Sequence, residues 1–398
     1  MKIVVTIEHR FESTPDGTVW TQTQFPYSFW TRYLEVFDEV NVVARVRPTD
    51  SIPPNWKQVN GEQVSVWAIP YYVGPWQYLK RSLQVKRAAR NALGEQDAVI
   101  LRPSSTIADC IEPLLQRTSH PYGVEVVADP YDTFAPGSVK HPLRPFFRWL
   151  TPRKLRHQCA NAAAAAYVTQ FALQRRYPPS PKAFTTYFSD VQLPEQAFAS
   201  APRLPKTDSK FTLIAVGTLA QLYKAPNILI EAVAVCVKKE LDLELVWLGD
   251  GKHRPELEEQ VKKLGLGDRI HFLGQLSAGD AVRAQLDRAD LFVLPSYQEG
   301  LPRATIEAMA RGLPCIGSTV GGFPELLALE DMVPPGNVNA LAKKIREVVT
   351  DPQRMARMSV RNLEKTKSYQ EKMLRERRLK FYRHLRETTE AWLKTSTE

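Results

Sequence analysis

Two carboxylates, Glu299 and Glu307, stand eight positions apart in the run Glu299-Gly-Leu-Pro-Arg-Ala-Thr-Ile-Glu307. Just ahead of them, Leu291-Phe-Val-Leu294 reads as a short buried parallel strand, while Pro302 suits the first helical position and Ile306, Met309 and Ala310 supply an apolar stripe. Strand, tight loop and helix start follow in order. The free N–H groups and positive dipole end of such a helix make a place for an anion such as phosphate. A carboxylate repels an anion, so its use beside one is to hold neutral hydroxyls on either side. A rise of about 1.5 Å per residue sets Glu307 a turn or more deeper than Glu299, enough for one to reach a sugar and the other a ribose across a diphosphate. The arrangement therefore reads as a nucleotide-sugar site. Without its surroundings, the same pair would be two solvated charges on a helix.

Those surroundings repeat one pattern. Pro314-Cys-Ile-Gly-Ser-Thr-Val-Gly-Gly322 is another short strand running into a glycine turn, with Pro324 and Glu325 opening a further helix. Phe211 to Gly217 ends a strand at a glycine, and Lys224 follows before a helical stretch from Pro226 to Lys238. Leu243 to Gly249 runs into Gly249-Asp250-Gly251, and Ile270 to Gly274 ends a fourth strand. In an open parallel sheet the carboxyl ends of the strands form the ligand crevice, so these loops are expected to line one site.

From about Phe211 to Pro335 these motifs resemble a glycosyltransferase of family 4, a retaining, metal-independent group with the GT-B fold, and weaker similarity covers most of the rest. The resemblance implies an α/β protein of two Rossmann-like, doubly wound domains with a cleft between them. Residues 1–200 would form the acceptor side, 206–365 would bind a nucleotide sugar, and a helix within 366–398 would cross back onto the first domain. By the same resemblance Glu299 contacts the donor sugar, Glu307 the ribose and Lys224 the diphosphate, and the backbone of Gly300 and Leu301 faces the donor. Gly249, Asp250, Gly251 and Arg254, with the loop after Gly274, surround the nucleobase. The family's Gly-Arg-Leu at the first strand end is Gly217-Thr218-Leu219 here, so either Arg303 or another cation replaces the missing arginine, or Lys224 works alone. No cofactor and no metal is implied beyond the nucleotide-sugar substrate.

Composition agrees with this reading. A chain of 398 residues is too long for one ordinary core and suits two domains. Its 43% hydrophobic and 24% charged content is that of a folded globular protein. Cys110, Cys159, Cys236 and Cys315 form no close pair and no metal-ligand spacing, which points to a reducing compartment, most simply the cytosol. The apolar start from Ile3 to Ile7 is too short for a signal-peptide core and reads as a first strand. No apolar stretch approaches the roughly 18 residues a membrane span needs.

The N-terminal half opens with a strand from Lys2 to Thr6, then a polar loop through Pro15-Asp16-Gly17. A helix carrying Trp30, Tyr33, Leu34 and Phe37 on one side leads to a strand from Val40 to Val46, the start of a second doubly wound sheet. Further strands are expected at Val64 to Ile69, Ala98 to Leu101, Val124 to Val127 and Ala163 to Thr169. The proline-rich stretch from Pro178 to Pro205 reads as the interdomain linker, and Gln370 to Lys394 as a long helix. Gly17 suits close approach of backbone to a phosphate or sugar, and equally an ordinary turn. Asp129 and Asp132 follow a strand end where many relatives of the resembled family carry a histidine; either one replaces it, or both are helix-cap and turn residues.

Net charge is +10, and its placement matters more than its size. Between Asp132 and Asp190 there is no acidic residue, while Lys140, Arg144, Arg148, Arg153, Lys154, Arg156, Arg175, Arg176 and Lys182 are basic, with Phe146, Phe147, Trp149 and Leu150 among them. Cations interleaved with aromatics suit an anionic lipid surface, each worth about 1 kcal/mol near the membrane. That fits a saccharide or lipid-linked acceptor met at the inner face of a membrane. A second cluster, Lys80, Arg81, Lys86, Arg87 and Arg90, lies at helical spacing and widens the same face. Nucleic acid is not expected, since no helix-turn-helix, zinc-finger or stacking-platform pattern occurs. A dinucleotide oxidoreductase is disfavoured because Gly249-Asp-Gly251 lacks the third glycine of that fingerprint. The expected activity is retaining transfer of a glycosyl group in cell-surface polysaccharide or glycolipid synthesis. A nucleotide-sugar epimerase and a catalytically inactive, membrane-associated partner subunit are the alternatives.

Overall fold

A computed structural model describes residues 1–22, 24–136, 138–139, 141–205, 210–277 and 279–396. Two sheets organise the chain. In the first, the strand Lys2–Ser13 lies between Glu39–Pro48 and Ala98–Leu101, parallel to both. Val64–Pro70 extends it on one side; Gly123–Val126, Ala164–Tyr167 and Phe184–Tyr187 follow on the other, all parallel. The second sheet is ordered Ile270–Phe272, Asp242–Leu248, Lys210–Val216, Leu291–Leu294, Cys315–Ser318 and Met332–Val333, again all parallel. Both sheets run outward from a first central strand and then switch sides. That switch point is where a doubly wound sheet leaves a crevice at its carboxyl edge.

Three local expectations need correction. The first strand does not stop at Thr6 but continues to Ser13, with a register shift against its parallel neighbour between Thr6 and Arg10. Two short antiparallel strands, Val19–Thr21 and Lys57–Gln58, attach to this extension. Its edge is thereby paired, which permits polar residues in a long strand. The stretch after Pro26 is helical only over Tyr27–Trp30. Tyr33, Leu34 and Val36 then donate to carbonyls three residues back, so tight turns bring the same aromatic residues inward without a regular helix. The stretch from Pro178 to Pro205 is not wholly a linker, because Phe184–Tyr187 is the last strand of the first sheet.

The helix Glu371–Ser396 returns to the first sheet and packs on Phe184–Tyr187, Ala164–Tyr167 and Ala98–Leu101. Sequence explains the fit. Phe381, Tyr382 and Leu385 are fully buried there, and a Cβ on Gly123 would come within 3.0 Å of Phe381 and 3.1 Å of Leu385. Tyr382 also stacks on Tyr33 at 4.7 Å, which fastens the helix to the turns after Pro26.

Beneath this stack lies a buried charge network. Arg102 faces Glu125 at 3.1 Å and Asp190 at 2.8 Å; Arg32 pairs with Asp190 at 2.7 Å, and the Tyr33 hydroxyl donates to Glu125. Burial works to raise the Asp190 carboxyl, but Arg102 and Arg32 outweigh it and hold the group well below the usual carboxylate range. Glu125 goes the other way, because burial outweighs the pull of Arg102.

Candidate active site

The central strand Lys210–Val216 and its switch-side neighbour Leu291–Leu294 end side by side, and their loops carry Lys224 and Glu299. Tyr297 N–H donates to the Tyr223 carbonyl at 2.8 Å, tying the two loops together. Lys224 Nζ then reaches Glu299 Oε1 at 2.6 Å, and the Ser296 hydroxyl donates to the same oxygen at 2.7 Å. Ser296 is held in turn through its carbonyl, which accepts from Ser318 at 2.6 Å. A Cβ on Gly217 would stand 2.9 Å from Lys224 Cγ, so glycine leaves the lysine stem room to cross the strand end. Lysine and carboxylate are largely buried, and two positions 75 apart in sequence have become one ion pair.

The helix Arg303–Ala310 begins next, with Pro302 as its cap residue rather than its first turn. Glu307 lies inside it. Burial pushes the Glu307 carboxyl up, against the opposing pull of Arg303 and Arg283. Two buried oxygens in this region, Gln298 Oε1 and Thr305 Oγ1, have no hydrogen-bond partner. Unpaired buried polar atoms are costly, and a bound polar ligand is one way to satisfy them.

Gly249 and Gly251 pack against the loop after the central strand. A Cβ on Gly249 would lie 2.0 Å from the Gly217 carbonyl oxygen, and one on Gly251 would lie 2.1 Å from Ala220 N. Their φ angles of +131° and +157° also belong to glycine. Thr218 donates to the Asp250 carbonyl at 3.4 Å, so its hydroxyl joins the same loop contact. Arg254 spans Asp250 at 3.2 Å, Glu258 at 2.7 Å and the Phe272 carbonyl at 2.9 Å, close beside Gly274. These residues thus form one continuous rim from Gly217 to Gly274.

The first half of the chain meets the loop after Leu291–Leu294 at Gly300, where a Cβ would stand 2.2 Å from the Val127 carbonyl oxygen. Leu301 is buried at the same seam, against the position a Cβ on Gly322 would take. Backbone cannot step aside as a side chain can. Gly300→Ala is therefore expected to hold the two halves apart and lower turnover about 100-fold, the scale of loss that a 1 Å misplacement of reacting groups can produce. Nucleotide affinity should change little, since Lys224 and the rim stay intact. Steady-state kinetics with a nucleotide titration checks both halves of that expectation.

In the first half of the chain Asp129 and Asp132 are both engaged in contacts within the protein. Asp129 caps the short helix Pro130–Thr133 by accepting from Tyr131 N–H, and its carboxylate also takes the Tyr177 hydroxyl and Arg176. Asp132 shares Arg176 at 3.2 Å, and burial raises its carboxyl. Gly17 is displaced by the longer first strand: it sits in an exposed turn closed by hydrogen bonds between Thr14 and Thr18, with open space around its Cβ position. Two further carboxylates hold loop contacts that the sequence analysis did not anticipate. Glu8, in the irregular part of the first strand, accepts from Tyr72 at 2.8 Å and Ser105 at 2.9 Å. Glu325 crosses the seam and accepts from the backbone N–H groups of Gln170, Phe171 and Ala172. The local sequence marks Glu325 only as the opening of a helix after Pro324, and Glu8 only as a carboxylate interrupting an apolar run. Among the described residues no cluster of three or more metal-ligating side chains occurs.

Across most of its length the chain is similar to Protein CapJ of Staphylococcus aureus, 27% identical over 331 residues that span 83% of this chain and 82% of CapJ. Sucrose-phosphate synthase from Thermosynechococcus elongatus has the same fold, with a TM-score of 0.67 at 17% identity over 97% of this chain and 99% of that one. HepE from Anabaena, in complex with UDP-glucose, gives a TM-score of 0.63 at 16% identity over 98% and 100%. The residues that carry Lys224, Glu299 and Glu307 fall within the stretch 198–365, which matches glycosyl transferases group 1. The chain thus has the two-domain GT-B fold, and its residues 198–365 are similar to the glycosyl transferases group 1 family.

Proposed function

We propose that the protein transfers a glycosyl group from a nucleoside-diphosphate sugar to a saccharide or lipid-linked acceptor, with retention at the anomeric carbon and without a metal ion. The observation that carries this reading is the Lys224–Glu299 pair at the switch point of the second sheet, beside the start of the helix Arg303–Ala310. Lys224 is paired with Glu299. A diphosphate draws the ammonium to itself and frees the carboxylate for sugar hydroxyls. Glu307, deeper in the helix, takes the ribose, and the rim from Gly249 to Arg254 takes the base.

Neither Glu299 nor Glu307 is placed as a nucleophile, since each is assigned to a different part of the donor. The acceptor oxygen bonds to the anomeric carbon on the face the diphosphate leaves. The bond from that carbon to the diphosphate oxygen breaks, and the acceptor proton passes to the departing diphosphate. Lys224 and the helix start offset the charge that builds there. Asp129, already bound to three donors, is poorly disposed to act as the base.

The donor half is tested by thermal unfolding with UDP, GDP, ADP and their sugar conjugates, each with EDTA. One nucleotide family at a hundredfold excess over Kd should stabilise the protein by about 2.7 kcal/mol. Stabilisation only when magnesium is supplied would contradict metal independence.

Lipid contact is supported by two helices flanking one face of the first sheet. Gly74–Arg90 contains no acidic residue and exposes Trp76, Leu79 and Leu83, the last at 81%. Arg144–Asn161 also lacks acidic residues and exposes Phe146 and Trp149. Both pack beside the helix Thr106–Arg117, the first directly and the second through Lys154–Asp109 and Gln158–Asp109 contacts. Some cations serve the fold, as Lys154 does; Lys140 lies outside the described residues. No helix among the described residues is long and apolar enough to cross a membrane. Sedimentation with phosphatidylglycerol vesicles is expected to pull the protein down at low salt and release it at high salt. Trp76→Ser with Trp149→Ser should weaken binding at least tenfold, and equal binding to neutral vesicles would refute the contact.

A further inference from the structure

Away from the donor rim, a cavity of about 680 Å³ opens across the seam between the two halves of the chain. The first half contributes Arg156, Phe171, Arg175 and Arg176, and the second contributes Glu325 and Lys365. The volume lies in the range of small-molecule sites, about 300–1,000 Å³. Its charge is one-sided. Glu325 is the single carboxylate, and its two oxygens are already covered by the N–H groups of Gln170, Phe171 and Ala172 at 2.6, 2.8 and 2.5 Å. Arg176 is shared between Asp129 and Asp132. Arg156, Arg175 and Lys365 have no carboxylate partner among the described residues, and Arg156 spends only its Nε on the Arg176 carbonyl. Phe171, half exposed, offers an apolar face at the same wall.

We propose that this cavity binds the phosphate group of a phosphorylated saccharide or lipid, gripped by Arg156 and Arg175 from one side of the seam and Lys365 from the other. The assignment of that ligand as an acceptor rests on the transferase reading; the phosphate site does not. An arginine fork matches phosphate oxygens bidentately, and a lysine on the opposite wall supplies a further point charge. Phe171 can then lie against the apolar face of a sugar ring.

Calorimetric titration of the full chain with glucose 6-phosphate tests this, run on the wild type, on Arg175→Ala/Lys365→Ala and on Lys224→Ala. Arg175 and Lys365 are exposed, so their removal leaves the core untouched. The expected result is binding by the wild type and Lys224→Ala alike, weakened at least tenfold in the double variant. Undiminished binding in the double variant overturns the site, and so does loss of binding in Lys224→Ala, which would put the phosphate in the donor cleft. Phosphatidylglycerol vesicles form the second arm: no response to glucose 6-phosphate, with vesicle binding lowered tenfold in the double variant, assigns the phosphate to a lipid headgroup. No effect of the double substitution on either probe refutes the proposal. A nucleotide titration of the same samples reads the transferase proposal separately, since failure there leaves glucose 6-phosphate binding unaltered.

Discussion

Glu299→Ala is expected to lower kcat about 100- to 1,000-fold, the loss typical when a group preorganised for the transition state is removed. The carboxylate is buried and held at Oε1 by Lys224 and Ser296. Its removal also leaves Lys224 without its partner, and the lysine is then free to bind the diphosphate. KM for the donor should therefore change less than kcat. Lys224→Ala is expected to behave differently, raising donor KM and lowering kcat together, because the ammonium meets the diphosphate before and during the reaction. Steady-state kinetics of both variants makes the separation visible. Near-wild-type turnover in Glu299→Ala and Lys224→Ala alike would mean that the site lies elsewhere.

Arg102→Met should produce the largest loss of stability, about 3–5 kcal/mol, by leaving Glu125 and Asp190 buried with an uncompensated charge. Arg32 still reaches Asp190, but Glu125 keeps only the Tyr33 hydroxyl. The sign of the pH dependence follows from Asp190. Its folded-state pKa is depressed from 3.8, so its contribution to stability is present above that value and is lost as pH falls toward the folded pKa. Without Arg102 the depression shrinks, so the variant should lose less further stability between pH 4 and pH 3 than the wild type. Urea unfolding followed by far-UV circular dichroism at pH 7, 4 and 3 measures both effects. An unchanged midpoint at pH 7 would show that the network contributes nothing.

Five of the six strands of the second sheet are legible in the sequence because each is short, largely apolar and ends at or near a small residue or glycine, whereas Met332–Val333, two residues followed by Pro334 and Pro335, carries no such mark. Gly217, Gly249 and Gly274 mark three strand ends directly. What spacing does not convey is that Lys224 and Glu299 meet, because that depends on which strands become neighbours at the switch point. The first sheet is harder to read. Glu8, His9 and Arg10 interrupt the apolar alternation of the first strand and hide its extension to Ser13, which moves Gly17 out to an exposed turn. Prolines on either side of Phe184–Tyr187 conceal a four-residue strand whose hydrogen bonds run to one neighbour only, a place where nearby prolines cost little. Arg102, Glu125 and Asp190 are scattered in sequence, and buried charge has no local signature. The aromatic spacing from Trp30 to Phe37 reports burial correctly but not helix, since tight turns meet the same inward requirement.

The most direct test of retaining transfer is proton NMR of the anomeric signal during slow hydrolysis of the nucleotide sugar that stabilises the protein, with EDTA present and no acceptor added. Water then stands in for the acceptor hydroxyl on the face the diphosphate leaves. The first sugar released should keep the donor's anomeric configuration, with mutarotation following later. Initial release of the inverted anomer would contradict retaining transfer.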